Sequence, residues 1–213
     1  MKLGRVLPRS FYARDVLEVA RALLGKALVH ESPEGTVAGR IVEVEAYRGP
    51  EDRAAHSYGG RRTARTEVMF GPPGHAYVFF VYGMHFHFNV VTGAEEEPHA
   101  VLVRAVEPLV GRALMAARRQ LPETRRELTN GPGKLCRAFA IDRAHYGADL
   151  CAGPLHLRAL SGFEPLAVGT SPRIGVDYAG EWRDEPWRFF DAGSAYVSPV
   201  RASTKARTGS RSR

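Results

Sequence analysis

Cysteine is scarce in this sequence, and long hydrophobic runs are missing. The two cysteines, Cys136 and Cys151, are too few and too far apart for a disulfide framework or a zinc ribbon, so we expect two reduced thiols without a functional role. No run of about eighteen apolar residues is present to span a bilayer. The first residues, Met1–Arg5, lack the apolar segment of a secretory signal. We therefore expect a cytoplasmic protein, associated with the nucleoid if the source is prokaryotic.

The sequence does have enough apolar residues for a core, and it has an excess of positive charge. Its 213 residues, 44% of them hydrophobic, are sufficient for one domain, which we place at residues 1–200. The formal net charge is +7, but five positive charges and no acidic residue follow Pro199. Residues 201–213 are therefore predicted to be a disordered basic tail, and the remainder carries a net charge of only +2. Such a charge permits binding to nucleic acid without establishing it.

Hydrophobic periodicity predicts a mixture of helices and strands. Apolar residues recur every three or four positions after Asp15, a typical N-cap, and this pattern ends at Gly25. Further helices are predicted from Pro108 to Arg119 and over Leu135 to Phe139, and a polar loop is predicted from Leu160 to Pro172. Strands are predicted at Lys26–His30, Thr36–Tyr47, Ala100–Glu107, Leu155–Leu160, Trp187–Phe190 and Ala195–Val197, with a hairpin between Ala76 and Val91. The interpretation is an α+β fold in a single domain, with helices flanking a mixed, mostly antiparallel sheet.

The stretch from Ile41 to Tyr47 is the strongest candidate for a functional element. Its alternation places Val42, Val44 and Ala46 on one face, and Ile41, Glu43, Glu45 and Tyr47 on the other. If the apolar face is buried, two carboxylates and an aromatic ring share the opposite face. The turn at Gly49-Pro50 would bring His56 back towards them. The alternative is an ordinary strand with a solvated polar face, and for Glu43 taken alone we favour that interpretation.

The predicted hairpin has an unusual tip. Tyr82 and Met84 flank Gly83 where Asn-Gly or Asp-Gly would be typical. Apolar side chains at a turn require a partner, which is either the body of the protein or a stack of base pairs, and from these residues alone we favour the body of the protein. His85 and His87 follow on one strand face and would be spaced to bind a metal with Glu45 or His56, although we favour a structural role for both.

Three further features admit both a functional and a structural explanation. Arg104 interrupts an apolar strand, as an edge residue or as the partner of a carboxylate. The basic loop Gly59–Thr66 is either solvated or bound to an anion. The segment Thr129–Leu135 begins a helix with Lys134 near its N-terminus, and helix N-termini of this kind bind phosphates. Its glycine spacing does not match a nucleotide P-loop, which argues against ATP binding.

Taken together, short motifs along nearly the whole chain resemble the alkyladenine (3-methyladenine) DNA glycosylase family in order and, nearly, in spacing. The motifs are Glu45-Ala46-Tyr47, Ala55-His56, Met69-Phe70, Tyr82-Gly83-Met84, Asn89, Arg104-Ala105, Gly131-Pro132-Gly133-Lys134-Leu135 and Arg173-Ile174-Gly175. The resemblance implies an enzyme that flips damaged purines out of duplex DNA and hydrolyses the N-glycosidic bond, leaving an abasic site and an intact strand. The damaged purines of the family are of the 3-methyladenine, 7-methylguanine, hypoxanthine and ethenoadenine type.

The same resemblance implies the catalytic residues. Glu45 matches the general base that activates a water, while Arg104 and the backbone carbonyl of Ile174 hold that water. No lysine stands at the matched catalytic positions to form a Schiff base. The family requires no metal, so we expect neither a metal nor a cofactor, and we expect a monomer that acts on double-stranded DNA.

Binding roles follow from the matched positions as well. Tyr47, His56 and Phe79 would sandwich the extruded base, with phenylalanine at position 79 where the family often has tyrosine. Asn89 would read the purine edge and penalise the exocyclic amine of normal guanine.

On the DNA side, Tyr82 would fill the space that the base leaves, with Met84 beside it. Arg61 and Lys134 match positions that hold phosphates. Two alternatives stay open: a damaged-DNA-binding module without catalysis, and a metal-dependent hydrolase that uses His56, His85, His87 and Glu45.

Overall fold

A computed structural model describes residues 2–162 and 167–199, so the predicted tail at 201–213 lies outside the described residues. The described residues form one antiparallel sheet of nine strands with helices packed against it, which confirms the predicted single-domain α+β fold. The strands are β1 (Lys2–Val6), β2 (Ala27–Ser32), β3 (Gly35–Tyr47), β4 (Ala76–Val81), β5 (His85–Thr92), β6 (His99–Val110), β7 (Leu155–Ser161), β8 (Val168–Ser171) and β9 (Arg188–Asp191). The α-helices are α1 (Arg9–Tyr12), α2 (Val16–Leu23), α3 (Arg112–Arg119) and α4 (Pro132–Phe139).

The long strand β3 is the centre of the sheet. The main strand order is β1-β7-β2-β3-β6-β5-β4, and β9 joins β3 with β8. On one side β3 pairs with β6 along most of its length, and on the other it pairs first with β2 and then, at residues 43–45, with β9. The carboxyl-terminal end of β3 is thereby held between two strands from distant parts of the sequence, and this end carries Glu43, Glu45 and Tyr47.

Helix α2 is the amphipathic helix that the sequence predicts. Val16, Val19, Ala20 and Leu23 are buried in the main core, which also contains Phe139 of α4. The Asp15 side chain accepts hydrogen bonds from the backbone amides of Leu17 and Glu18, which confirms the predicted N-cap. Neither helix carries a side chain that lines the cavity described below.

Replacing Asp15 by alanine is expected to lower the free energy of unfolding by about 1 kcal/mol, because two amides at the start of α2 lose their acceptor. Thermal denaturation measures this as a fall in Tm of roughly 2–4 °C. Asp15→Asn is the matched control, since it keeps an acceptor oxygen and removes only the charge that faces Arg48 at 3.8 Å. Equal losses in both variants would contradict the capping role.

Several predicted boundaries are wrong. Pro108 does not open a helix; it lies in β6, opposite Gly39, and α3 begins at Arg112. The pairing of β6 with β5 ends at Leu102, so the last residues of β6 form an edge of the sheet. A proline, which has no N–H group, is tolerated at such an edge. Residues 195–197 form a turn instead of a strand, because the chain bends sharply after β9.

Two strands were not predicted at all. Strand β1 and strand β8, the latter in the segment predicted to be a polar loop, pair with β7 and β9. Each is short and carries little apolar alternation, so its conformation is set by its partner strand. The partner of β1 is distant in the sequence, and the partner of β8 carries the apolar pattern itself. None of the described helices is long and apolar enough to cross a membrane.

Candidate active site

Glu45 is fully buried, and its carboxylate is held by three donors. Oε1 accepts from the backbone amide of Ile174 at 2.7 Å and lies 3.1 Å from Nη1 of Arg104. Oε2 accepts from the hydroxyl of Tyr47 at 2.8 Å. Each carboxylate oxygen has two acceptor positions. Oε1 is therefore fully used, whereas Oε2 keeps one position without a partner among the described residues.

Register shifts in β3 place these side chains. The pairing of β3 with β6 shifts between Ile41 and Glu43 and again between Glu43 and Val44. Such bulges rotate the residues before them relative to those after them. Ile41 consequently packs in the main core with Val44 and Ala46, and not on the face of the glutamates as the simple alternation predicted.

Glu43 is also fully buried, so its interpretation as a solvated strand residue is wrong. Its carboxylate accepts hydrogen bonds from Arg104 at 2.9 Å, from Arg188 at 2.7 Å, and from the backbone amide and hydroxyl of Ser198 at 2.6 Å. Burial alone would raise the pKa of Glu43, but the two arginines and Ser198 together hold that pKa below its ordinary value. Glu43 thus connects Arg104 to β9 and to the carboxyl-terminal end of the described chain.

Arg104 is the shared cation of the two glutamates. It is almost fully buried in β6 and binds both carboxylates. Of the two roles that the sequence allowed, an edge residue or the partner of a carboxylate, Arg104 has the second. Burial works against its charged form, yet Glu45 and Glu43 keep the pKa of Arg104 above its ordinary value. The guanidinium is therefore a permanent positive charge beside Glu45.

Beside Glu45 lies an open cavity of about 200 Å³, which is lined by Tyr47, Arg104 and Ile174, the three residues that hold the Glu45 carboxylate, although Glu45 itself does not line it. Aromatic and imidazole rings form much of its wall, and the rest comes from apolar side chains, from Asn89 and Arg104, and from the loop after Arg173. The lining includes Tyr47, His56, Tyr77, Phe79, His87, Asn89, Arg104 and Ile174. The structure therefore brings together Tyr47, His56, Phe79 and Asn89, all of which the sequence analysis had placed in one pocket.

His56 is fixed by hydrogen bonds at both ring nitrogens. A guanidinium can only donate, so Nε2 accepts from Nη2 of Arg65 at 3.2 Å, and the ring proton lies on Nδ1, which donates to the Tyr77 hydroxyl at 2.7 Å. Burial, together with Arg65 and Arg61, lowers the pKa of His56 to about 4. Its ring is neutral at neutral pH, and it packs edge to face against Phe79 with centroids 4.6 Å apart.

Tyr77 is a wall residue that the sequence analysis missed. It lies two positions before Phe79 on the same face of β4, with ring centroids 5.3 Å apart, and burial raises the pKa of its hydroxyl to about 12. Phe79 has no hydroxyl, but Tyr77, two positions earlier in β4, has one, and it is hydrogen-bonded to His56. Alternation along β4 could have identified it.

A buried ion pair supports Tyr47 from behind and was also missed. Arg173 binds both carboxylate oxygens of Asp52, and the two side chains are fully buried. The guanidinium carbon of Arg173 lies 4.8 Å from the centre of the Tyr47 ring, and Nη1 also donates to the carbonyl of Ala46. Asp52 in turn accepts from the amides of its own loop. The pair fixes the ring of Tyr47 and the loop that leads to His56.

Asn89 is buried on β5, facing the cavity. Its Nδ2 donates to the carbonyl of Tyr77 at 3.0 Å, and because a carbonyl only accepts, this bond fixes the orientation of the amide. The amide is therefore a rigid element of the wall.

The hairpin tip projects from the sheet. Tyr82 is 79% exposed and Met84 is 68% exposed, so the expectation that the tip folds against the body of the protein is wrong. Tyr82 also has a φ of +54°, a left-handed conformation that is uncommon for a residue with a side chain, and Gly83 follows with a φ of +67°. Tyr82 reaches the rim of the cavity beside Glu45.

A second cavity, of about 310 Å³, adjoins the first and shares His56 and Tyr178 with it. Three arginines line it, namely Arg53, Arg61 and Arg65. Arg61 therefore lies where an anion would be attracted. Lys134, the other residue matched to phosphate binding, begins α4 and donates to Asn130 at 2.8 Å.

The residues of the metal-hydrolase alternative do not form a metal site. Within residues 2–162 and 167–199, no group of three or more histidine, cysteine or acidic side chains is placed to hold a metal ion. His85 packs against Gly133 at the start of α4, whereas His87 lines the cavity. We expected a purely structural role for both histidines, but His87 also forms part of the cavity wall.

Comparison with known proteins agrees with this geometry. Residues 10–195 match the family model described as Methylpurine-DNA glycosylase (MPG). Three relatives carry the name "Putative 3-methyladenine DNA glycosylase". They come from Desulfitobacterium hafniense (56% identical, covering 90% of this chain and 98% of that protein), Methanocella arvoryzae (52%, covering 91% and 96%) and Bacillus licheniformis (50%, covering 90% and 96%).

These matches define the protein as a DNA glycosylase, an enzyme that hydrolyses N-glycosidic bonds. The chain belongs to the methylpurine-DNA glycosylase family.

Proposed function

We propose that this protein is a monofunctional DNA-repair glycosylase that flips damaged purines from duplex DNA and hydrolyses the N-glycosidic bond with a water activated by Glu45. The observation that carries the proposal is a buried carboxylate, with one acceptor position left on Oε2, beside an open cavity walled by flat rings. An aromatic finger projects at the rim of the same cavity. The substrates are 3-methyladenine, 7-methylguanine, hypoxanthine and ethenoadenine.

The chemistry follows from the charges around Glu45. As the bond from C1′ to the purine nitrogen breaks, positive charge develops on the sugar, and a carboxylate stabilises it while accepting a proton from the attacking water. Tyr47 and the amide of Ile174 hold the carboxylate in one orientation, and Arg104 orients both Glu45 and the water. The carbonyl of Ile174 is the proposed second ligand of that water. The products are a free base and an abasic site in an intact strand.

Recognition of the flipped base rests on stacking. Tyr47 and the neutral His56 offer flat faces, and Phe79 offers a third without a hydroxyl of its own. Flat faces accept any purine, so selection against normal guanine falls to Asn89, whose fixed amide would meet the exocyclic amine.

Contacts to the duplex involve the hairpin and the arginines. Tyr82 would fill the gap in the base stack, with Met84 wedged beside it, which explains why two apolar side chains are exposed at the tip. Arg61, in the basic cavity, and Lys134, at the start of α4, would contact phosphates. The basic residues of the tail would add sequence-independent attraction that weakens with salt.

The test is a panel of 3-methyladenine, 7-methylguanine, hypoxanthine and ethenoadenine duplexes incubated with excess enzyme, with free base quantified by chromatography. Undamaged duplex and chelator-treated enzyme serve as controls. Release of free base without strand cleavage is the expected result. Tight, salt-dependent binding with no base released would instead establish the non-catalytic DNA-binding alternative, and loss of activity on chelation would support the metal-dependent one.

Replacing Tyr82 by alanine is expected to slow single-turnover release about 5- to 150-fold, because the flipped state loses one aromatic stacking contact, worth roughly 1–3 kcal/mol. Fluorescence of 2-aminopurine beside the lesion would report the loss of flipping directly. Tyr82→Phe is the matched control and is expected to keep nearly the wild-type rate. A wild-type rate in Tyr82→Ala would rule out the plug role.

A further inference from the structure

His87 is a cavity residue to which neither the sequence motifs nor the proposed mechanism gives a task. It lies on β5 opposite Phe79 of β4, with ring centroids 5.4 Å apart, and two positions before Asn89 on the same strand face. Both neighbours line the cavity that would receive the base, and His87 lines it with them. Its side chain therefore belongs to the wall that the flipped purine would contact.

The hydrogen-bonding state of His87 differs from that of His56. Both ring nitrogens of His56 are engaged, whereas among the described residues no hydrogen-bond partner reaches either ring nitrogen of His87. A neutral imidazole carries one donor and one acceptor. A half-buried ring with both groups unused, in the wall of a cavity lined by flat rings, is suited to bind a ligand in that cavity.

The surroundings of His87 keep it uncharged. Burial, then Arg104 of β6, His85 of its own strand and His56 of the facing loop, lower its pKa to about 4. At neutral pH the ring is thus a neutral donor. It does not repel a cationic methylated purine as an imidazolium would.

We propose that His87 is a specificity-determining residue whose N–H group donates a hydrogen bond to the flipped purine and thereby supports excision of uncharged purines such as hypoxanthine. The proposal rests on the glycosylase function proposed above and extends it. A methylated purine that carries a positive charge leaves as a neutral base and needs little assistance. An uncharged purine becomes negatively charged as it keeps the electron pair of the broken bond. A hydrogen-bond donor at its ring stabilises that negative charge.

The step balances without another reactant. The bond between C1′ and the purine nitrogen breaks with its electron pair remaining on the purine, and the water oxygen bonds to C1′ while Glu45 accepts the water proton. The departing purine takes its proton from solvent. His87 donates a hydrogen bond to the purine throughout and transfers no proton.

The experiment compares the full-length wild type, His87→Phe and His87→Gln in single-turnover release of hypoxanthine and of 7-methylguanine from otherwise identical duplexes. In His87→Phe, release of hypoxanthine is expected to fall about 10- to 100-fold, while release of 7-methylguanine changes by less than about 3-fold. His87→Gln keeps a donor and is expected to recover most of the hypoxanthine rate. His85→Phe, one pleat nearer the tip and outside the cavity lining, should leave the ratio of the two rates unchanged.

The ratio of rates separates the possible failures. Equal loss on both substrates in His87→Phe would indicate a merely structural role and overturn the inference, as would an unchanged hypoxanthine rate. Wild-type release of 7-methylguanine without hypoxanthine would overturn the inference and leave the glycosylase function standing. If the wild type releases neither base, nor 3-methyladenine or ethenoadenine, both the proposed function and the inference fail.

Discussion

Replacing Glu45 by glutamine is expected to lower the single-turnover rate of 3-methyladenine release by about 100- to 10,000-fold. This corresponds to roughly 3–5 kcal/mol of barrier. Glutamine has almost the same shape and can still accept from the Ile174 amide through its carbonyl oxygen. It cannot accept the proton of a water, and it carries no charge to stabilise the sugar. The loss should therefore appear in the rate of bond cleavage and not in affinity for damaged DNA.

The controls for Glu45→Gln distinguish a loss in the rate of bond cleavage from a loss of affinity for damaged DNA. Binding to a duplex with a stable abasic analogue should stay within a few-fold of the wild-type affinity. Glu31→Gln, on the exposed part of β2, should keep the wild-type rate, since it removes the same charge away from the site. Equal rates for Glu45→Gln and wild type would show that the water is activated elsewhere, and the mechanism would have to be abandoned.

The core of the site could be predicted because it is local in sequence. Glu45 and Tyr47 share a strand face by simple alternation, and only eight residues separate Tyr47 from His56 across one turn. The apolar residues of the hairpin tip are visible in the sequence, because apolar side chains at a turn are costly in water, but taken alone they favoured packing against the body of the protein, and the tip is exposed. The roles of these residues came from the resemblance to a family, which periodicity cannot supply.

What could not be predicted depends on long-range contacts. A register shift at Val42, between the pairs Ile41–Val106 and Glu43–Ala105, places Ile41 in the core, and no local pattern in β3 indicates it. The burial of Glu43 requires Arg188 and Ser198, which lie 145 and 155 residues further along the chain. Alternation identifies the face that a side chain occupies, but not whether another part of the chain covers it.

The burial of Glu43 leads to the second large expected effect. Glu43→Ala is expected to lower the free energy of unfolding by about 3–5 kcal/mol, because it leaves Arg104 and Arg188 inside the protein without the carboxylate they share. Tm should fall by roughly 6–20 °C for a chain of this size. Glu127→Ala is the matched control, since it removes a carboxylate from an exposed ion pair with Arg125 and should leave Tm nearly unchanged.

The pH dependence of Glu43→Gln distinguishes the ion pairs from packing. The folded protein holds the pKa of Glu43 below its ordinary value, so the stabilisation is fully present above the range in which an unfolded glutamate titrates, about pH 4, and is lost as the pH falls through the folded-state pKa. The difference in unfolding free energy between wild type and Glu43→Gln should therefore be constant from pH 5 to 7. It should shrink only at more acidic pH. A difference that stays the same down to about pH 3 would mean that the amide simply packs poorly, and that the charge of Glu43 does not hold Arg104 in place for Glu45.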